Sequence, residues 1–385
     1  MKGSLKLVGL SVVIAVLALQ PARAQEPVAG KSKKPFGLEK VIGFYGDFSG
    51  RVPSQNYVAA GLTWFKLLQS TVDEGSDVLV NHPGEGFSID ELGFDYDGPT
   101  DLKTIKVLKA AKEKKPDLQF AAWQMGGPVA PKLAATYREL VELVMMETYV
   151  DLDNSWMIAF KLQAARLNGL VEKSVIGLGI GEQAESMGGW AWTQTREEME
   201  QQFRLIRFVA PESPGVVFFG QWSVDKFPIT AEDIDELCSG FLEIPTDGSG
   251  LKPELLELGK TFRKRYEKPA IFCSSAFASP EYYPGDPGTD WRGLTALEPV
   301  ILRAPILNLG EQDAKDVIVR LRHRGDDGEV WAKGIVDVPA KSIAIAVLPL
   351  LPGHERPRRA GKSTMEVEAP PGCEIFTFLD ARYWE

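Results

Sequence analysis

The chain has 385 residues, 44% hydrophobic and 25% charged, with a formal charge of −10 at pH 7. That length exceeds one ordinary core, so two domains are expected, and the acidity makes nucleic acid and anionic membrane surfaces poor partners. Three cysteines (Cys238, Cys273, Cys373) and three histidines (His82, His323, His354) are too few and too dispersed for a disulfide framework or a metal cage, so at most one bridge, no metal and no cofactor are expected.

Residues 1–24 read as a cleaved secretory signal peptide. Lys2 and Lys6 precede the apolar run Leu7 to Leu19, and Ala22-Arg23-Ala24 follows as a small-x-small cleavage site. The run is too short for a spanning helix, which needs roughly 20 residues, and no later stretch is long enough. A secreted, periplasmic or cell-surface location is therefore expected. Residues 25–37, polar and aperiodic, read as a linker.

From 38 to 268 short β-rich runs alternate with helical patterns, the rhythm of a parallel sheet covered by helices. The strand candidates are "VIGFYGDF", "DVLVNHP", "LQFAAWQM", "LVMMETY", "SVIGLGIG" and "GVVFFGQW". Helical patterns span Tyr57 to Ser70, Asp101 to Lys114, Lys132 to Val141, Ser155 to Leu170 and Arg196 to Val209. Successive strands lie about 30 to 40 residues apart, as a right-handed βαβ crossover requires. The expected fold is a (β/α)8-type, TIM-like barrel, complete or short of strands, with an open α/β sheet as the alternative. "GFLEIP" at Gly240 is a candidate for a missing strand.

After "LKPELLELGKTFRKRYEKP" the rhythm changes. Residues 269–385 hold about seven short strands without helices, the pattern of an Ig-like β-sandwich serving as an accessory domain. In "DVIVRLRHR", Val317, Val319 and Leu321 alternate with Arg320 and Arg322. "ILNLGEQDAKDVIVRLRHRGDD" resembles the bacterial CARDB-type adhesion-related sandwich, through Asn308, Gly310, Ala314, Val317, Val319 and Leu321. The resemblance covers only this stretch and implies a module attached to secreted carbohydrate-active or surface proteins.

The chemistry candidates sit at strand ends. Asp47, His82, Gln124, Glu147 and Gln221 close five of these six runs, and in a barrel every such end opens on one face. In "VELVMMETYVD" a carboxylate, Glu147, follows Leu143 to Met146, and "VIGLGIGEQAES" places Glu182 and then Glu185 just past the next strand. Two neighbouring carboxyls are what glycoside hydrolysis needs: one protonated for the leaving oxygen, one ionised as nucleophile or base. Partial desolvation of Glu147 points to it as the acid, Glu182 as its partner, and Asp47 as the reserve. Both glutamates also read as solvated or salt-bridged strand ends.

Aromatic residues cluster in the same regions. Trp123, Tyr149, Trp190, Trp192 and Trp222 offer faces for sugar rings, and His82, Gln124 and Gln221 offer partners for hydroxyls. Phe87, Phe94 and Tyr96 read as parts of a long loop. "GLGIGE" is not a dinucleotide fingerprint, because Glu182 stands where the third glycine belongs. "DYDGPTD" lacks the spacing of a calcium loop, and no G-x-S-x-G elbow or Ser-His-Asp order occurs.

The strand-end acids and aromatic rim of residues 38 to 268 resemble secreted glycoside-hydrolase-like (β/α)8 proteins. Met146 stands where the large retaining clan has Asn before its acid. Leu143 and Met145 stand where chitinase-like barrels carry acids. The resemblance implies a carbohydrate substrate and O-glycosyl hydrolysis, without naming a sugar. The alternative is a non-catalytic carbohydrate-binding or cell-surface protein on a barrel scaffold. The sequence carries no signal for oligomeric state.

Overall fold

A computed structural model describes Pro35 and residues 39–45, 64–67, 76–81, 86–92, 99–124, 127–182, 191–192, 195–219, 229–274, 301–323, 329–349, 351–352 and 363–378. The expected signal peptide and nearly all of the linker lie outside these residues. No helix among them is long and apolar enough to cross a membrane.

The strands of the first part are β1 (Val41–Tyr45), β2 (Trp64–Leu67), β3 (Gly86–Leu92), β4 (Gln119–Gln124), β5 (Leu143–Glu147), β6 (Ser174–Gly179), β7 (Gly181–Glu182), β8 (Ala191–Trp192) and β9 (Gly215–Phe219). All but β7 and β8 form one parallel sheet in the order β1-β9-β6-β5-β4-β3-β2, curled as a half-barrel. This is the cyclic order of a barrel, with the first strand beside the last. Among the described residues no pairing joins β1 to β2. The pair β7 and β8 is a small antiparallel ribbon after β6.

The helices are α1 (Ser76–Asn81), α2 (Pro99–Lys114), α3 (Pro131–Leu140), α4 (Trp156–Leu167), α5 (Arg196–Val209), α6 (Ala231–Ser239) and α7 (Pro253–Arg263). Strand alternation divides the apolar residues between two layers. Phe120, Ala122, Val144, Met146, Ile176 and Leu178 pack toward the helices, whereas Ala121, Trp123, Leu143, Met145, Val175 and Val217 form a separate inner cluster. Two apolar faces explain the near-continuous hydrophobic runs of these strands. The amphipathic α5 begins at a capping box in which the Thr195 hydroxyl accepts from the Glu198 amide and the Glu198 carboxylate accepts from the Thr195 amide.

Four sequence readings are corrected. "DVLVN" is helical, as α1, because a short apolar run does not distinguish a strand from one buried helical face. The second strand comes earlier, at β2, inside the stretch read as a helix from Tyr57 to Ser70. Phe87 lies not in a loop but fully buried in β3, and "GFLEIP" opens as a 3-10 turn at Phe241–Glu243. The helices read from 101, 132, 155 and 196 all form within a few residues of their expected bounds.

The second part consists of β10 (Ala270–Cys273), β11 (Ile301–Asn308), β12 (Ala314–His323), β13 (Val330–Val338), β14 (Ser342–Pro349), β15 (Ser363–Glu368) and β16 (Glu374–Thr377). They make a four-stranded sheet, β14-β11-β10-β16, and a three-stranded sheet, β13-β12-β15. Ile271, Cys273, Ile306 and Leu348 of the first meet Val317, Val319, Leu321 and Met365 of the second in one core. The opposite face of the four-stranded sheet, with Phe272, Leu307 and Ile343, belongs to the core of the helical layer. Cys238, Cys273 and Cys373 are all free thiols; the first two are buried, and burial pushes each up to about 12.

The Asn-x-Gly of "ILNLGEQ" has a physical cause here. Asn308 is fully buried, its Oδ1 accepting from the amides of Ala270 and Gly310 and its Nδ2 donating to the carbonyls of Gln312 and Val338. One side chain thus ties β10, β11 and β13 to the turn before β12. At Gly310 an added Cβ would lie 2.0 Å from the Lys268 carbonyl oxygen, so only glycine fits.

Candidate functional site

The C-terminal ends of β4, β5 and β6 bring together most of the candidate residues that the structure describes. β5 reads Leu143, Val144, Met145, Met146, Glu147, and alternation gives Glu147 the parity of the inner residues Leu143 and Met145. Glu147 is half-buried, directly across from Gly177 of β6.

The backbone beyond Glu147 is pinned at several points. The Thr148 amide donates to the Gly177 carbonyl at 2.9 Å, and the Thr148 hydroxyl to the Met146 carbonyl at 3.0 Å. Gln202 of α5 donates to the Val150 carbonyl at 2.9 Å. The Asp151 carboxylate accepts from the Asn154 amide and side chain at 3.1 and 2.9 Å, bracing the turn that leads into α4. A carboxylate followed by such a segment is held on a rigid mount rather than a free loop.

Beside it lie two of the expected sugar-binding aromatics. Trp123 and Tyr149 are 2% and 6% exposed, and the indole Nε1 donates to the Tyr149 hydroxyl at 2.8 Å. The Trp123 ring crosses onto β6, where an added Cβ at Gly177 would stand 3.2 Å from its benzo edge. Gly177 is thus the space the indole fills, and the pair forms an apolar floor next to Glu147. Gln124, one residue on, faces the other way. It is buried and accepts from the Tyr137 hydroxyl of α3 at 3.0 Å, within the helix layer. Burial, and secondarily the nearby Asp101 charge, raises the Tyr137 phenol well above its ordinary value.

Glu182 is the second residue of β7, paired with Ala191, and Gly181 is paired with Trp192. The hairpin therefore rises just past β6, next to the strand that carries Gly177. Of Glu182 and Trp192 the structure describes the backbone only. Asp47, His82, Trp190, Gln221 and Trp222 lie outside the described residues, as does Glu185.

One residue in this region was missed from the sequence: Lys161, in the middle of α4 and 1% exposed. Its ammonium donates to the backbone carbonyl of Glu147. Burial lowers it from its ordinary value to about 8, against the attraction of the Glu147 charge. The signal for it was a lone charge inside the apolar "WMIAFKLQAA".

Among the described residues no three of His, Cys, Asp and Glu converge as a metal site needs. A surface groove of about 620 Å³ lies between α2 and α3, lined by Leu102, Ile105, Lys106, Lys109 and Leu133 among others, and shares no residue with the Glu147 cluster.

No family model and no curated protein matches the chain. Several solved structures are weakly similar. They include an endo-β-1,4-mannanase of glycoside hydrolase family 26 from Cellulomonas fimi, at 9% identity and a TM-score of 0.25, covering 69% of this chain and 63% of that one. An FMN-binding β-glucuronidase from Facaelibacterium prausnitzii gives 10%, 0.27, 81% and 46%, and a family GH18 chitinase from Chromobacterium violaceum gives 9%, 0.26, 78% and 68%. The chain thus spans under two thirds of the mannanase and under half of the glucuronidase. Likeness at this level fixes neither fold nor activity.

Proposed function

We propose that the protein is a secreted carbohydrate-active protein in which the curled sheet is a (β/α)8-like barrel with a glycosidase face. In this reading the seven strands after β9 form an Ig-like, CARDB-like accessory sandwich. The observation that carries the proposal is the setting of Glu147: a carboxylate at the C-terminal end of a parallel strand, on the inner-face parity, mounted on a pinned backbone beside the Trp123–Tyr149 floor. Ligand chemistry in barrels of this kind concentrates at that end of the strands.

Glu147 and Glu182, with Asp47 in reserve, are the proposed carboxyl groups. One protonates the leaving oxygen while the other attacks the anomeric carbon or activates water. Trp190 and Trp192, with Gln221 and Trp222, are the proposed sugar contacts; His82 drops out, because the run it closes is α1 and not a strand. Trp123 and Tyr149 form the buried floor beside Glu147, and Gln124 holds α3 against β4. The amino-terminal segment directs export.

The test is a polysaccharide panel run with the full chain and with Glu147→Gln. Hydrolysis of one glycan, reduced roughly 10²-fold or more by the substitution, is the expected result. Saturable glycan binding with no turnover in either protein would move the assignment to a non-catalytic carbohydrate-binding protein. Turnover unchanged in Glu147→Gln would remove Glu147 from the chemistry.

A further inference from the structure

The partition of roles between the two carboxyls rests on charge, and the structure supplies a charge that the sequence reading did not weigh. Lys161 lies between Phe160 and Leu162 on a helix buried from Trp156 to Ala165. A buried ammonium is unfavourable unless acceptors and an opposite charge attend it. Both come from the last residue of β5: the Glu147 carbonyl accepts from Nζ, and the Glu147 carboxylate is the charge that opposes the effect of burial on Lys161.

Such attraction is reciprocal. Whatever free energy the carboxylate contributes to keeping Lys161 charged, Lys161 contributes equally to keeping Glu147 charged. Lys161 is wholly enclosed, so its field is poorly screened by solvent. The pairing therefore works against the sequence expectation that Glu147 retains a proton.

We propose that Lys161 is a positioning residue which, from the helix layer, fixes the end of β5 and holds Glu147 as the ionised carboxylate of the site. Glu147 is then the nucleophile or water-activating base. The proton donor is a carboxyl of the neighbouring segment, with Glu182 as the candidate. This rests on the carbohydrate-active reading for the meaning of the roles, though not for the pairing itself.

The experiment is a pair of reciprocal titrations on the full chain by carbon-13 NMR, and it needs no substrate. Glutamate carboxyl carbons are followed in the wild type, with Glu147→Gln identifying the resonance, and again in Lys161→Met. The Glu147 midpoint is expected to move up by a unit or more when Lys161 is replaced. In the second arm the lysine ε-carbons are followed, and Lys161 is expected to titrate at least a unit lower in Glu147→Gln than in the wild type. This arm leaves α4 intact, so it decides the matter if Lys161→Met does not fold.

Unchanged midpoints overturn the proposal even if Glu147 proves essential for hydrolysis. Coupled midpoints in a protein that cleaves no glycan retain the pairing and retire only the hydrolase reading. If the protein is active, Lys161→Met should also shift the acid limb of its pH–rate profile upward, a change that a purely structural lysine would not produce.

Discussion

Trp156 and Phe378 stack with ring centroids 5.5 Å apart and planes 15° from parallel. Trp156 opens α4, and Phe378 follows β16, so this contact joins the helical layer to the four-stranded sheet. Phe262 of α7 stacks on the same Phe378 at 5.3 Å, and Phe272 of β10 on Phe376 at 4.4 Å. The Trp156 indole N–H is buried without a hydrogen-bond partner in the described structure, so apolar contact carries the junction. Residues 270–385 expressed alone should therefore expose this aromatic face and associate. Light scattering of that fragment beside the full chain checks it, and a soluble, folded monomer would contradict it. In the full chain, Phe378→Ala should cost about 2 to 4 kcal/mol, measured by urea denaturation.

Tyr149→Phe removes the acceptor of the Trp123 indole N–H. Left buried without that partner, the donor should cost about 1 to 3 kcal/mol, and the emission of the folded protein should shift as Trp123 repacks over Gly177. A variant as stable as wild type would mean that the indole finds water and that the floor is open from the inner side.

Lys161 gives stability a pH dependence with a definite sign. Its ordinary value is 10.5 and burial brings it to about 8 in the folded chain, so between these values the unfolded chain binds the additional proton. Stability then rises with pH through this window; the contribution is complete above about 10.5 and lost as pH falls through about 8. Relative to Lys161→Met, wild type should gain on the order of 3 kcal/mol from pH 8 to pH 10.5. Denaturant midpoints of the two proteins at four or five pH values provide the comparison. Parallel curves would show that the ammonium is solvated.

Asn308→Ala deletes four hydrogen bonds and leaves the amides of Ala270 and Gly310 and the carbonyls of Gln312 and Val338 to find other partners. A loss of about 3 kcal/mol or more is expected, with amide exchange accelerating first around the β11–β12 turn. Asn308→Asp should be nearly as costly, since a carboxylate accepts at both oxygens and cannot donate to the two carbonyls.

The sequence disclosed most clearly the elements with two apolar faces or one. β4, β5, β6 and β9 are buried on both sides and read as continuous hydrophobic runs, and α5 announced itself by its periodicity. β2 and α1 were exchanged because "WFKL" and "DVLV" are too short for period 2 and period 3.6 to separate. Of the site, Glu147 was legible as a charge ending an apolar strand. Parity also separates Trp123 from Gln124, since consecutive strand residues face opposite sides. Lys161 escaped although it is the lone charge in "WMIAFKLQAA", because the sequence does not show what a buried helix packs against. Its partner lies on another element, and only the fold brings the two together.

The pairing of β1 with β9, Val41 opposite Gly215 through Tyr45 opposite Phe219, also governs the order of assembly. β1 is synthesised near the beginning of the chain, yet its partner emerges only after β2, β3, β4, β5 and β6 have been made. The neighbouring strands β2 to β6 can zip together as each crossover helix completes, whereas β1 must wait across the longest loop in the sheet, the slow kind of contact. Until β9 arrives, Val41 and Ile42 are apolar surface on an unfinished edge. A chain interrupted before residue 215 would hold β2 to β6 in register and lack β9, the strand that pairs with β1 among the described residues.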